Sequence, residues 1–247
     1  GFARALLALE TRADRLRGTD FYFDLSTVTG TENLMMAATL AEGRTVLKNA
    51  ACEPEVVELA KALVKMGAKI QGAGTDVLVI EGVTELRPFE HAIIPDRIEA
   101  GTLMVAAGIT QGNVKLLNCD LTQMEAVVSK LQEAGLEIHP EGEGVKVIGP
   151  ANLKAVDVKT LPFPGFPTDM QAQIMALMCL AGGLAVITET VFEKSTGLYS
   201  ASLLQPQNVA KNKHMADVRN CIENHLPGFY YSIEKIYYLV THNSVTD

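Results

Sequence analysis

Close cysteine pairs are missing from this chain: Cys52, Cys119, Cys179 and Cys221 are scattered, the nearest two lying 221 − 179 = 42 residues apart. That excludes a zinc knuckle or a Cys-x-x-Cys redox motif, and the four thiols read as small core residues in a reducing compartment. Long apolar runs are missing too. No stretch approaches the roughly 18 residues of a membrane span, and the opening GFARALLALETRADRLRG has no signal-peptide cleavage site, so a cytoplasmic protein is expected. Nor is there a basic stripe. With 21 Lys and Arg against 29 Asp and Glu, and a net charge of −8, the thinly spread cations exclude a general nucleic-acid grip. What remains is 247 residues, 48% hydrophobic, enough for one large domain or two small ones with real cores. The chain opens on Gly1 without a methionine, which suggests a piece of something longer.

An internal repeat sets the architecture. AEGRTVLKNA (41–50), TQGNVKLLNC (110–119) and AGGLAVITET (181–190) share the order helix end, glycine, strand. Their glycines are spaced 112 − 43 = 69 and 183 − 112 = 71 residues apart. MGAKI (66–70) then matches AGLEI (134–138), and DVLVIEG (76–82) matches GVKVIGP (144–150). One unit therefore reads helix, strand, helix, strand, hairpin, strand over about 70 residues.

Local chemistry agrees with that order. Leu34, Met35, Ala38 and Ala41 recur at helical spacing, and Gly43 stands where a left-handed residue would end the helix. Pro54 opens a second helix at a position where its missing N–H costs nothing, and Gly67 closes it. QGAGT (71–75) is the only space in which to reverse the chain, so it reads as a hairpin; a dinucleotide fingerprint would need the full glycine spacing between a strand and a helix. Pro88 and Pro95 block helix formation across RPFEHAIIP and mark a crossover with a domain boundary near Pro95. Residues 194–247 hold five of the six tyrosines and only two of the twenty glycines, so the repeat stops there, leaving a helical appendage or a stretch introduced by a frameshift.

Few residues are equipped for chemistry. In LPFPGFPTDMQAQ (161–173) three prolines stiffen an approach, and Thr168 is expected to cap a helix whose first turn carries Asp169. Asp169 either complements the helix dipole or presents a carboxylate to a ligand. Asp96, Arg97 and Glu99 in PDRIEAGT form an ion-paired helix start or a site. STVTGTEN (26–33) could receive phosphate oxygens on backbone N–H groups, although capping alone explains it equally. His91 and His139 have no partner at ligand spacing and read as surface or edge-strand residues, and the eight methionines from Met35 to Met178 read as core filling. No metal site is expected.

TVTGTENLMMAATLAEGRTVLKNAACEPEV, PDRIEAGT, and above all PGFPTDMQAQ followed by GLAVITETVFE, resemble the UDP-N-acetylglucosamine 1-carboxyvinyltransferase family of enolpyruvyl transferases. The resemblance runs in order from Arg12 to Glu193. It implies an α/β fold of two inside-out barrels, each made of three such units. Residues 1–94 would be the last unit of the first barrel, 95–193 the opening part of the second, and 194–247 a tail foreign to the family. It also implies the reaction: the enolpyruvyl group of phosphoenolpyruvate passes to the 3-hydroxyl of UDP-N-acetylglucosamine by addition and elimination, with release of phosphate and no cofactor. Asp169 matches the aspartate that contacts this hydroxyl and acts in proton transfer, Val191 a backbone contact to the sugar nucleotide, and Ser26, Thr27 and Val28 a loop near its diphosphate.

The departures from the family bear on activity. Its N-terminal Lys-Asn pair, its phosphate-binding arginines and its mobile-loop cysteine belong to segments that this chain does not contain, and Lys194 and Ser195 stand where the family has an Asn-Arg pair. A chain of net charge −8 without those arginines has little with which to bind phosphoenolpyruvate. The expectation is a catalytically incomplete fragment; the alternative is a non-catalytic repeat module or a weak sugar-nucleotide binder.

Overall fold

A computed structural model describes residues 13–191 and the backbone of 198–201. The chain divides into two compact units, residues 1–93 and 94–247. Among the described residues no helix is long and apolar enough to cross a membrane.

The first unit runs β1 (Asp20–Tyr22), α1 (Val28–Thr39), β2 (Arg44–Lys48), α2 (Pro54–Lys65), β3 (Lys69–Gln71) and β4 (Val77–Glu81). Its sheet has the order β1-β2-β4-β3, with β1 parallel to β2 and the other pairs antiparallel. On α1, Thr31, Met35 and Ala38 turn inward at four- and three-residue spacing and pack with Leu47, Leu78 and Ile80 of the sheet and Val56 and Ala60 of α2. Leu34, expected on that face, is exposed. Pro54 opens α2 as expected. The QGAGT turn is the hairpin expected, and Gly72 shows why glycine is needed: its φ is +83°, and a Cβ would fall 2.0 Å from the Val77 carbonyl oxygen.

The second unit repeats the plan with α3 (Arg97–Thr110), β5 (Asn113–Leu117), α4 (Glu125–Glu133), β6 (Glu137–Glu141) and β7 (Gly144–Ile148). The sheet order β5-β7-β6 reproduces β2-β4-β3, all antiparallel. Asn49 and Asn118, 118 − 49 = 69 residues apart, both take left-handed conformations just after the matching strands β2 and β5. The repeat departs from itself at its glycines. Gly43 has φ +86° and Gly183 φ +117°, whereas in the second unit Gln111 adopts the left-handed turn at φ 55° and Gly112 does not. Gly43 also lies beyond the end of α1 at Thr39, so it turns the chain into β2 rather than capping the helix.

A third copy begins with β8 (Val158–Lys159), the 3-10 turn Thr168–Met170, α5 (Gln171–Met178) and β9 (Ala185–Thr188), with β8 parallel to β9 as β1 is to β2. Residues 198–201 form β10, antiparallel to β9. This strand falls in the stretch assigned from sequence to a non-family tail, the rest of which lies outside the described residues. The second core gathers Met104, Leu131, Val147, Ile174, Leu177 and Ile187 among others.

Two further sequence expectations fail here. Instead of lying at the surface, His91 is held against α2, its Nε2 2.6 Å from Glu58 Oε1, and both side chains are only 10% exposed. Glu58 sits on the otherwise buried face of α2, and the segment after β4 folds back over that face, so Glu58 pairs with His91 Nε2 while His91 Nδ1 is buried without a partner among the described residues. The four cysteines are not all free thiols either, since Cys179, half-buried at the end of α5, is disulfide-bonded. Cys52 and Cys119 are free and half-buried; burial first, then neighbouring carboxylates, pushes both thiols up and keeps them unreactive. His139 is exposed on β6, and six of the eight methionines are buried as expected, with Met36 exposed.

Candidate functional site

The candidate residues fall into two groups, one in each unit. In the first unit, β1 delivers the chain to Ser26, half-buried, and Thr27, exposed, at the start of α1. Thr27 is the N-cap in extended conformation, and its Oγ1 accepts from the Gly30 N–H at 3.4 Å, a long and weak bond. Val28 is the first helical residue. The opening amides of a helix have no intrahelical acceptor, so this turn offers N–H groups to an anion. The charge nearby is of the opposite tendency. Burial, then Glu55 and Glu53, raise the pKa of Glu32 one turn further on, which marks a locally negative environment.

In the second unit the proline-rich loop is closed on itself. Leu161 N–H donates to the Phe166 carbonyl at 2.9 Å and Gly165 N–H to the Pro162 carbonyl at 2.8 Å, while Phe166 is buried. The Arg97 guanidinium lies 5.8 Å over the Phe163 ring, joining the loop to the start of α3. The 3-10 turn that follows is seated by Met170, fully buried against Gly101 of α3, where a Cβ would approach Met170 Cε to 2.9 Å. Gln173 Nε2 donates to Thr102 Oγ1 at 3.0 Å on the same helix.

Thr168 does not cap. No side chain caps either the 3-10 turn or α5, and the Thr168 hydroxyl instead donates to Glu189 Oε2 at 2.7 Å. The reason is position: the 3-10 turn begins at Thr168 itself, with Pro167 in the cap position, so the Thr168 hydroxyl is left to donate to the buried carboxylate. Asp169 is exposed, and no hydrogen bond or ion pair engages its carboxylate among the described residues. It lies in the 3-10 turn ahead of α5, not in the first turn of the helix itself, so its charge is uncommitted.

Val191 is 37% exposed, and its backbone N–H donates to Glu189 Oε1 at 2.6 Å. The strand end leading to it is tied on its other side: Thr190 N–H donates to Thr160 Oγ1 at 3.0 Å, and the Thr190 hydroxyl to the Thr160 carbonyl at 2.5 Å. Glu189 thus ties Thr168, the residue before Asp169, to Val191. Ser26, Thr27 and Val28 belong to the other unit. Asp96, read as site or helix start, is a helix start: its Oδ1 accepts from Ile98 N–H at 2.8 Å and Glu99 N–H at 3.1 Å. A separate open groove of about 570 Å³, lined in part by Ser129, Lys130, Asp157, Lys159 and Thr188, contains none of the expected site residues.

Glu189 was not singled out from the sequence, although a signal existed. Ala185, Ile187 and Glu189 alternate on one face, and a carboxylate at the third core-facing position is out of pattern.

This arrangement defines an enolpyruvyl transferase fold. The chain belongs to the family of EPSP synthase (3-phosphoshikimate 1-carboxyvinyltransferase), which matches residues 3–200. It is similar to the UDP-N-acetylglucosamine 1-carboxyvinyltransferase of Geotalea daltonii, 57% identical over 185 residues, covering 75% of this chain and 44% of the relative. The protein of the same name from Sorangium cellulosum is 62% identical over 180 residues, covering 72% and 43%. Among solved structures, the enolpyruvyl transferase NikO from Streptomyces tendae superposes with a TM-score of 0.62 at 21% identity, over 73% of this chain and 46% of that one. The chain therefore spans less than half the length of these relatives.

Proposed function

We propose that this chain supplies part of the active site of a cytoplasmic enzyme that transfers the enolpyruvyl group of phosphoenolpyruvate to the 3-hydroxyl of UDP-N-acetylglucosamine, the first committed step of peptidoglycan synthesis. The observation that carries the reading is Asp169: an exposed carboxylate with no partner among the described residues, on a turn fixed by buried contacts, within PGFPTDMQAQ. An alcohol is a poor nucleophile until a base removes its proton as the new bond forms. In the addition, Asp169 takes the hydroxyl proton as the sugar oxygen bonds to C2 of phosphoenolpyruvate, and C3 gains a proton to become a methyl group. In the elimination, that methyl gives up the proton it gained, the C2–O bond to phosphate breaks, and phosphate leaves, the proton held by Asp169 passing to it or to solvent so that the carboxylate is restored. No cofactor enters the balance. With its N–H taken by Glu189, Val191 contacts the sugar nucleotide through its carbonyl, and Ser26, Thr27 and Val28 face the diphosphate. The units are then the last of one inside-out barrel, 1–94, and the opening part of a second, 95–193.

The length of the match favours a second reading alongside this one. The chain spans 44% of its Geotalea relative, and the resemblance places the family's phosphate-binding arginines outside the matched part; on this reading the 247 residues alone are catalytically incomplete, a repeat module that binds sugar nucleotide weakly at most. Phosphate release with both substrates decides. The 247-residue chain is expected to show none, and a chimera with residues 13–191 in the full-length Geotalea frame is expected to turn over. An inactive but folded chimera that still binds sugar nucleotide would leave only the binding-module reading.

A further inference from the structure

Past the end of β9 the core-facing register continues through Ala185, Ile187 and Glu189, which are 0%, 0% and 1% exposed. A strand of this alternation calls for a third apolar residue, and a carboxylate there is unfavourable unless its oxygens are hydrogen-bonded. They are. Oε2 accepts from the Thr168 hydroxyl at 2.7 Å and Oε1 from the Val191 N–H at 2.6 Å. Thr168 immediately precedes Asp169, and Val191 is the other candidate contact in this unit. One buried carboxylate thus joins two segments that are 191 − 168 = 23 residues apart in sequence.

We infer that Glu189 is a positioning residue for the transfer proposed above, holding the Asp169 turn and the Val191 backbone in one frame. The inference rests on Asp169 acting as the proton-transfer group. The surroundings leave the frame little slack: Met170 is pinned under Gly101, and Thr190 is tied to Thr160, so the remaining freedom of both segments converges on Glu189. A positioned acid or base loses rate steeply when displaced, about 10²-fold for about 1 Å. Removing the carboxylate should therefore act on kcat through residues that Glu189 itself does not replace.

The test uses the full-length chimera, with kcat and KM for UDP-N-acetylglucosamine measured beside a thermal melt. Glu189→Gln keeps an acceptor for Val191 and, through its amide, a donor to the Thr168 oxygen, and kcat should stay within about threefold of the parent. Glu189→Ala should lower kcat by about 10- to 100-fold. Glu189→Asp, which keeps the charge but shortens the reach by one methylene, should lose about tenfold and covers the case in which the alanine variant does not fold. Thr168→Val removes one contact and leaves the carboxylate in place, and a smaller fall in kcat is expected; parental kcat in folded Thr168→Val and Glu189→Asp would overturn the inference. If those two are fast while Asp169→Asn is slow, Glu189 is merely structural and the proposed function stands. If Asp169→Asn turns over at the parental rate, the proposed function falls and the positioning role falls with it.

Discussion

The starts of α1 and α5 occupy equivalent places, each between two parallel strands, yet they are held in opposite ways. At α1 the cap is local: Thr27 reaches its own helix at Gly30, and nothing distant takes part in that bond. At α5 no side chain caps at all, and the turn is fixed from outside by Met170 on Gly101, Gln173 on Thr102 and Thr168 on Glu189. The difference decides what the polar residues are free to do. Thr27 spends an acceptor site on its own helix, whereas a turn held by its neighbours leaves Asp169 uncommitted. Tertiary support of a helix start leaves its carboxylate available for the role proposed for it.

The sharpest way to break this comparison is Asp169→Asn in the full-length chimera. It keeps size and hydrogen bonding but removes the proton acceptor, and turnover should fall by about 10² to 10⁴ with the melt unchanged. A residue that only favours the helix dipole would cost less than about 1 kcal/mol of stability and leave the rate nearly intact. Next in size is Met170→Ala. Deleting a fully buried methionine should cost about 2 to 5 kcal/mol, read as a lowered denaturation midpoint of the 247-residue chain. A loss below about 1 kcal/mol would mean that the 3-10 turn is not seated by that side chain.

The repeat was legible in sequence because glycine turns and apolar periodicity are local signals, and the sheet order β5-β7-β6 follows β2-β4-β3 as the matched segments require. Asp169 and Val191 were candidates from PGFPTDMQAQ and GLAVITETVFE, and the structure places Asp169 exposed on its turn and Val191 beside Glu189. Their connection was not legible in sequence. Thr168 has the character of an N-cap, but the turn starts at Thr168 itself, and its hydroxyl meets Glu189, a neighbour in space and not in sequence. His91 misled for the same reason, since its partner Glu58 is 33 residues away and invisible to ligand-spacing rules. Gln111 in a left-handed turn where the repeat offers Gly112 shows that a backbone shape can be conserved while the residue supplying it shifts by one.

Local capping is probed by a smaller pair of effects. Asp96 accepts two amides at 2.8 and 3.1 Å, so Asp96→Ala should destabilise by about 1 kcal/mol. Thr27→Ala removes a single 3.4 Å bond and should cost about 0.5 kcal/mol, the low end of the capping range. Chemical denaturation of the two variants checks the order, and an equal or larger loss at Thr27 would show that its cap is tighter than the geometry indicates.

The smallest effect expected is at Glu32. Burial first, then Glu55 and Glu53, raise its folded pKa above the ordinary 4.5, so the folded state holds this proton more tightly than the unfolded chain does. The linkage sign follows. Above the folded pKa the carboxylate is charged in both states and the folded state carries the full penalty; as pH falls through the folded pKa the penalty is relieved, and below 4.5 it is gone. Glu32→Gln should therefore stabilise the chain at neutral pH, by only a few tenths of a kcal/mol, because solvent screens a half-buried site. The advantage should fade as pH approaches 4.5. A glutamine variant whose gain is the same at pH 7 and pH 4 would show that the effect is packing, and that the start of α1 does not carry the negative environment which sets it apart from the Asp169 turn.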